Sequence, residues 1–147
     1  MLSSSQKFSP EIRYYLFMAK TLEKHKNKKL SKRVLLVEDD VDVNDAFSIL
    51  LAKGGYEVLG AYNGKEALEK IPSFNPEVIL LDLLMPIMDG NEFLRTYNND
   101  DHIPIIVFSS LDSRTEVETA LQLGATRYML KAWATPEELF RVINDAV

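Results

Sequence analysis

Val34-Leu35-Leu36-Val37-Glu38-Asp39-Asp40 is a run of aliphatic residues that ends abruptly in three acids. A strand with one wet face alternates apolar and polar residues, so a run that is apolar at every position reads as a strand covered on both faces. Strands of that kind belong to parallel sheets, whose crossover connections lay helices over both sides. The same pattern recurs at Val78-Leu81, ending in Asp82, and at Ile105-Phe108, ending in Ser109-Ser110. Two more strands are expected at 56–62 and 127–130, the last ending in Lys131.

Helical periods fill the intervals. Val43, Ala46, Phe47, Leu50 and Leu51 share one side of a helix over 42–53, which Gly54-Gly55 ends. Asn63-Gly64-Lys65-Glu66 has capping-box spacing and opens a helix through Ala67, Leu68 and Ile71 that Pro72 is expected to stop. A short helix over 91–97 and another over 113–123, ended by Gly124, follow; Asp89-Gly90 reads as a turn. Thr135-Pro136-Glu137-Glu138 is a second capping box and launches the last helix through Val142, Ile143 and Ala146. Five apolar strands alternating with five helices predict an α/β fold with a doubly wound five-stranded parallel sheet.

Residues 1–32 stand apart from this alternation. Ser9-Pro10-Glu11 is a helix start, and Ile12, Tyr15, Leu16, Ala19 and Leu22 continue at helical spacing to about residue 25. The basic linker Lys26-Asn27-Lys28-Lys29 joins this extra N-terminal helix to a main domain over 33–147. Charge divides at the same place. Residues 1–33 carry nine Lys and Arg against Glu11 and Glu23, whereas the rest carries eight against twenty acids, for a net charge of −5. The acidic part is a poor binder of nucleic acid. No apolar run approaches the roughly 20 residues of a membrane span, and the absence of cysteine excludes disulfides, thiolate metal sites and a thiol nucleophile. A 147-residue chain that is 46% hydrophobic has enough core to fold without staples.

In doubly wound sheets ligands bind at the carboxyl ends of the strands, beside the point where strand order reverses. Here those ends carry Glu38, Asp39 and Asp40, then Asp82, then Ser109 and finally Lys131. Clustered carboxylates repel one another, and a hard divalent cation such as Mg²⁺ removes that repulsion. Acids, a lysine and a hydroxyl around such a cation suit phosphoryl transfer, where catalysis is largely positioning and charge neutralisation. Asp40 and Asp42 read instead as first-turn acids of the following helix. His102 reads as a surface residue, and His25, on a single helix, lacks the bundle a phosphotransfer histidine needs.

Four segments together resemble the receiver domains of bacterial two-component response regulators: 34–40, 80–90 (Leu-Leu-Asp-Leu-Leu-Met-Pro-Ile-Met-Asp-Gly), 104–110 and 124–131. They fall in order, with 43 residues from Asp39 to Asp82, 27 on to Ser109 and 22 on to Lys131. The resemblance implies a flavodoxin-like receiver fold in a cytoplasmic protein. It implies that Asp82 is the phosphoacceptor for a sensor histidine kinase or phosphotransfer protein. Asp39 and Asp82 would bind Mg²⁺ directly, Glu38 through water, and the backbone carbonyl of Leu84 would complete the protein ligands. Lys131 and Ser109 would contact the phosphoryl group, and Tyr128 would couple to Ser109 as a switch, reshaping the face of the 113–123 helix, fifth strand and last helix. That face and the N-terminal helix are the candidate surfaces for a downstream protein or a second copy.

The chain departs from the family at Lys131-Ala132, where Lys-Pro with a cis bond is usual. A cis bond before Ala costs about 3 kcal/mol, so the alternatives are a trans bond with a differently placed Lys131 or a strained one. Trp133 replaces a smaller aromatic, and Leu84 and Leu111 put apolar groups two positions beyond Asp82 and Ser109, which predicts slow loss of the phosphoryl group. The expected role is a phosphorylation-controlled signalling module rather than a turnover enzyme. The alternatives are a phosphorylation-independent adaptor, supported by the missing proline, and an Asp-nucleophile phosphatase, opposed by Leu84 where a second acid is wanted.

Overall fold

A computed structural model describes residues 8–21 and 31–147 of the chain. In order they form α1 (Pro10–Thr21), β1 (Arg33–Val37), α2 (Val41–Lys53), β2 (Glu57–Ala61), α3 (Gly64–Phe74) and β3 (Val78–Leu81). There follow α4 (Gly90–Thr96), β4 (Ile105–Ser109), α5 (Arg114–Gln122), β5 (Arg127–Leu130), a 3-10 turn (Lys131–Trp133) and α6 (Pro136–Ala146). The last turn expected for α1, the basic linker and His25 lie outside the described residues. No helix among those described is long and apolar enough to cross a membrane.

All five strands are parallel, in the order β2-β1-β3-β4-β5. Strand order reverses between β1 and β3, and the register Val37↔Leu81 sets the ends of those two strands side by side. The uniformly apolar strands are buried along their length: β3 and β4 at every position, β1 at all but Arg33. Successive side chains point to opposite faces. Val34, Leu36, Val78, Leu80, Ile106 and Phe108 therefore meet α2, α6 and α1, while Leu35, Val37, Ile79, Leu81, Ile105 and Val107 meet the other face.

Capping side chains set the helix starts: Asp40, Asn63, Asp89, Ser113 and Thr135 each accept the N–H three residues on. Two expectations are corrected. Pro72 does not stop α3, which continues to Phe74. A proline there removes its own N–H from the ladder and crowds the carbonyl four residues back, but the residues after it still continue the helix. The helix stops at Asn75, whose left-handed backbone (φ 52°) returns its N–H to the Ile71 carbonyl. Asp89-Gly90 is more than a turn: Asp89 caps α4 and Gly90 is its first residue.

The N-terminal helix packs on α2 and α6. Tyr15 is buried in the same apolar cluster as β1, β3 and β4, with its ring 4.8 Å from that of Phe47, which in turn lies 5.0 Å from Phe108.

Candidate functional site

The strand ends flanking the reversal carry the acids. Glu38 N–H donates to Ala61 O and Asp82 N–H to Val37 O, both at 2.9 Å, so ladder hydrogen bonds continue one residue beyond β1 and β3. The two carboxylates are thereby held on adjacent strands at the carboxyl edge. Glu38 and Asp82 are buried, Asp39 is exposed, and one carboxylate oxygen from each lies within 4.8 Å of the others. At that separation two ionised carboxylates repel by roughly 3–4 kcal/mol at an effective dielectric constant of about 20.

Lys131, at the end of β5, reaches across to offset part of this. Its ammonium lies 2.5 Å from Glu38 Oε2 and 3.2 Å from Asp82 Oδ2, over the ring of Phe108 at 5.9 Å. The remaining oxygens are met by backbone: Asp40 N–H donates to Glu38 Oε1 and Leu83 N–H to Asp82 Oδ1. Burial pushes Glu38 up to about 7, against the pull of Lys131 and with the push of Asp82. Burial alone would lower Lys131, but Asp82 and Glu38 outweigh it and hold the ammonium above its ordinary value. Three carboxylates and one ammonium leave two net negative charges when all are ionised, and this all-oxygen donor set suits a hard divalent cation.

No peptide bond among the described residues is cis, so Lys131-Ala132 is trans and the strained cis alternative is set aside. The lysine reaches both acids from a 3-10 turn. The side chain of Trp133 lies outside those described.

Ser109 is fully buried, and its Oγ accepts the Leu111 N–H at 3.3 Å. Half-buried Tyr128 donates its hydroxyl to the Leu111 carbonyl at 2.6 Å. Both candidate switch residues therefore hold the same residue of the loop after β4. Leu84 is 58% exposed, in the loop that follows Asp82. That loop is pinned at both ends, by Gly90 N–H to Leu83 O and Gly64 N–H to Met88 O, each 2.9 Å. At its apex Met88 N–H returns to Pro86 O across Ile87, a β-branched residue with φ 69°.

Sequence reasoning missed three supports of this site. Asn44, buried in α2, donates its amide to Glu38 O at 3.0 Å and Ala61 O at 3.2 Å, tying the acidic loop to two strands. Gly60 makes room for it, since a Cβ there would lie 2.6 Å from Asn44 Oδ1. Gly90 is required by closeness too: a Cβ would lie 2.5 Å from the Asp82 carbonyl oxygen. A polar residue on the buried side of α2 was the available signal for Asn44; the glycines had none.

The family model of the response regulator receiver domain matches residues 34–144. Among solved structures, the chain is similar to the chemotaxis protein CheY4 of Vibrio cholerae, at 30% identity over 80% of this chain and 99% of that one, with a TM-score of 0.72. It is also similar to the BeF3-activated N-terminal receiver domain of Klebsiella pneumoniae RstA, at 28% identity over 78% and 97%, TM-score 0.71. A third similar structure is a CheY-like receiver domain protein from Methanospirillum hungatei JF-1, at 29% identity over 78% and 92%, TM-score 0.72.

Proposed function

Because the chain belongs to the receiver-domain family of two-component response regulators, we propose that Asp82 takes up a phosphoryl group from the phosphohistidine of a sensor kinase or phosphotransfer protein. The observation that carries this reading is the Lys131 ammonium lying between buried Glu38 and Asp82 with Asp39 beside them, at the reversal of strand order.

In the proposed step an Asp82 carboxylate oxygen attacks phosphorus, the P–N bond to the donor imidazole breaks, and the imidazole departs with the electron pair. The product is an acyl phosphate on Asp82. Lys131 faces one of its phosphoryl oxygens, and Ser109 turns to donate its hydroxyl to another. Asp39 and Asp82, with Glu38 through water and the Leu84 carbonyl, would hold Mg²⁺, which supplies neutralisation of the charge gathered on the transferring group.

The output follows from the shared anchor. If Ser109 Oγ leaves the Leu111 N–H for the phosphoryl group, the loop that also receives the Tyr128 hydroxyl is released. The face of α5, β5 and α6 then shifts its population of shapes. A groove of about 480 Å³ on that face, lined by Tyr128, Met129, Leu130, Thr135 and Glu138, is where a downstream protein or second copy would read the change. The ground for a phosphorylation-independent adaptor, the missing proline, loses force because Lys131 reaches Asp82 across a trans bond.

The test is intact mass after incubation with Mg²⁺ and acetyl phosphate. Wild type is expected to gain one phosphoryl group, about 80 Da, only with Mg²⁺, and Asp82→Asn is expected to gain none. Equal gain by Asp82→Asn, or none by wild type, would reject the assignment.

A further inference from the structure

The turn that presents Lys131 is held from outside the receiver sheet. A trans 3-10 turn over Lys131–Trp133 ends with a long 3.5 Å contact from Ala134 N–H to Lys131 O. Short 3-10 segments have poor hydrogen-bond geometry of their own. Into this turn comes the hydroxyl of Tyr15, from α1, more than a hundred residues earlier in the chain. It donates to the Ala134 carbonyl in a short, buried hydrogen bond and lies 3.3 Å from the Lys131 carbonyl. Tyr15 packs on Phe47, Phe47 on Phe108, and the Lys131 ammonium lies over Phe108. The Lys131 backbone is therefore bonded directly by Tyr15, and its ammonium rests on the last ring of a chain of three that Tyr15 begins. Burial pushes the phenol up to about 12, so it remains a donor throughout the neutral range.

We propose that Tyr15 is a positioning residue for Lys131: the N-terminal helix clamps the 131–134 turn through the tyrosine hydroxyl and so sets the lysine's reach to Asp82. The role presupposes that Asp82 is the phosphoacceptor. It makes α1 part of the reacting unit without touching the reacting atoms. Displacement of α1 by a partner would then lower phosphoryl uptake.

The experiment compares the 147-residue wild type, Tyr15→Phe and Tyr56→Phe. Tyr15→Phe keeps the ring on Phe47 and removes only the clamp. Tyr56→Phe removes a hydroxyl that bonds Asn144 instead, and serves as a control for losing one phenolic hydrogen bond. Two quantities are read: the rate of phosphoryl uptake from a fixed concentration of acetyl phosphate at saturating Mg²⁺, and the Mg²⁺ concentration for half-saturation by calorimetry without donor. Tyr15→Phe is expected to slow uptake roughly tenfold, less than the roughly hundredfold that an ångström's misplacement of a reacting group costs. Its Mg²⁺ half-saturation should stay within about twofold of wild type, since the carboxylates are untouched. Tyr56→Phe should match wild type in both.

Uptake by Tyr15→Phe at the wild-type rate overturns the positioning role. So does a parallel loss of Mg²⁺ binding and uptake, which would mark a general loosening of the domain. A wild type that takes up no phosphoryl group rejects the phosphoacceptor reading itself, and this role with it.

Discussion

Replacing Asn44 with Ala tests whether the acidic loop is held as the hydrogen bonds imply. The Asn44 amide donates to two carbonyls. Ala61 O keeps a second donor, Glu38 N–H, whereas Glu38 O loses the donor it has in this buried place. An orphaned buried acceptor costs about 1–3 kcal/mol and an ordinary lost bond about 0.5–1.5 kcal/mol. Alanine's better helix propensity returns about half a kcal/mol. The net loss is about 2–3 kcal/mol, a large part of a domain's typical total, and lowers the midpoint of thermal unfolding by about 6–12 °C for a chain of this size. The assay is thermal unfolding followed by circular dichroism, with Asp45→Ala as control, an exposed neighbour on the same helix. Such surface changes stay within about 0.5 kcal/mol. The loop freed by Asn44→Ala carries Glu38 and Asp39, so Mg²⁺ affinity should also fall, by roughly tenfold, as for other residues that orient metal ligands. A midpoint within about 2 °C of wild type, or an equal loss in Asp45→Ala, would refute the reasoning.

Three further outcomes are expected. Ile87→Gly should raise stability by about 1 kcal/mol, measured by urea unfolding, because a β-branched residue at φ 69° carries strain of order 1–3 kcal/mol that glycine's added unfolded-state entropy only partly offsets; a destabilised variant would mean that its exposed side chain makes contacts worth more than the strain. Burial holds Glu38 near 7, so below that pH its protonation removes a negative charge from the Mg²⁺ site: affinity should weaken from pH 7 to 6, by at most about tenfold, and level off above 8, and Glu38→Gln should flatten the profile. A wild-type profile as flat as that of Glu38→Gln would count against the raised value. Changing Leu84 and Leu111 together to Asn should shorten the lifetime of phosphorylated Asp82 by about tenfold, followed as phosphate release, since apolar groups near the acyl phosphate exclude attacking water; an unchanged lifetime would put the protection elsewhere.

What could be read in the sequence was whatever a strand carries in its own residues. Uniform aliphatic runs mark β1, β3 and β4, and a polar residue where such a run stops marks the carboxyl edge, so Glu38, Asp82, Ser109 and Lys131 were legible as one rim. The capping side chains of α3 and α6 were legible because a cap acts three residues away. Supports that work across the fold were not. Asn44 acts on Ala61, and Tyr15 on a turn at the other end of the chain; neither distance leaves a periodicity. Gly90 matters because the Asp82 carbonyl passes 2.5 Å from where its Cβ would be, a property of two backbones meeting. Pro72 misled for a local reason. The stop rule weighs a proline as though it sat mid-helix, and here the helix had only two residues left to run.

If Asp82 is the phosphoacceptor, the way Lys131 is shared would give the site its direction of response. The ammonium is 2.5 Å from Glu38 and 3.2 Å from Asp82, so it lies closer to Glu38 than to the proposed phosphoacceptor. A phosphoryl group on Asp82 offers the ammonium a stronger anionic partner at the same place. Drawing the lysine toward it weakens the pair with Glu38, a carboxyl already held near 7 by burial. The lysine backbone begins the turn that leads through Ala134 into the Thr135 cap of α6, so a shift of that backbone would reach the start of the helix. On the proposed reading, phosphorylation of Asp82 would be transmitted along two short routes, one from Lys131 into the start of α6 and one from Ser109 through Leu111 to Tyr128. Both routes would end on the same face, and α1 touches the first of them through Tyr15, so the N-terminal helix stands where it would oppose or favour such a change.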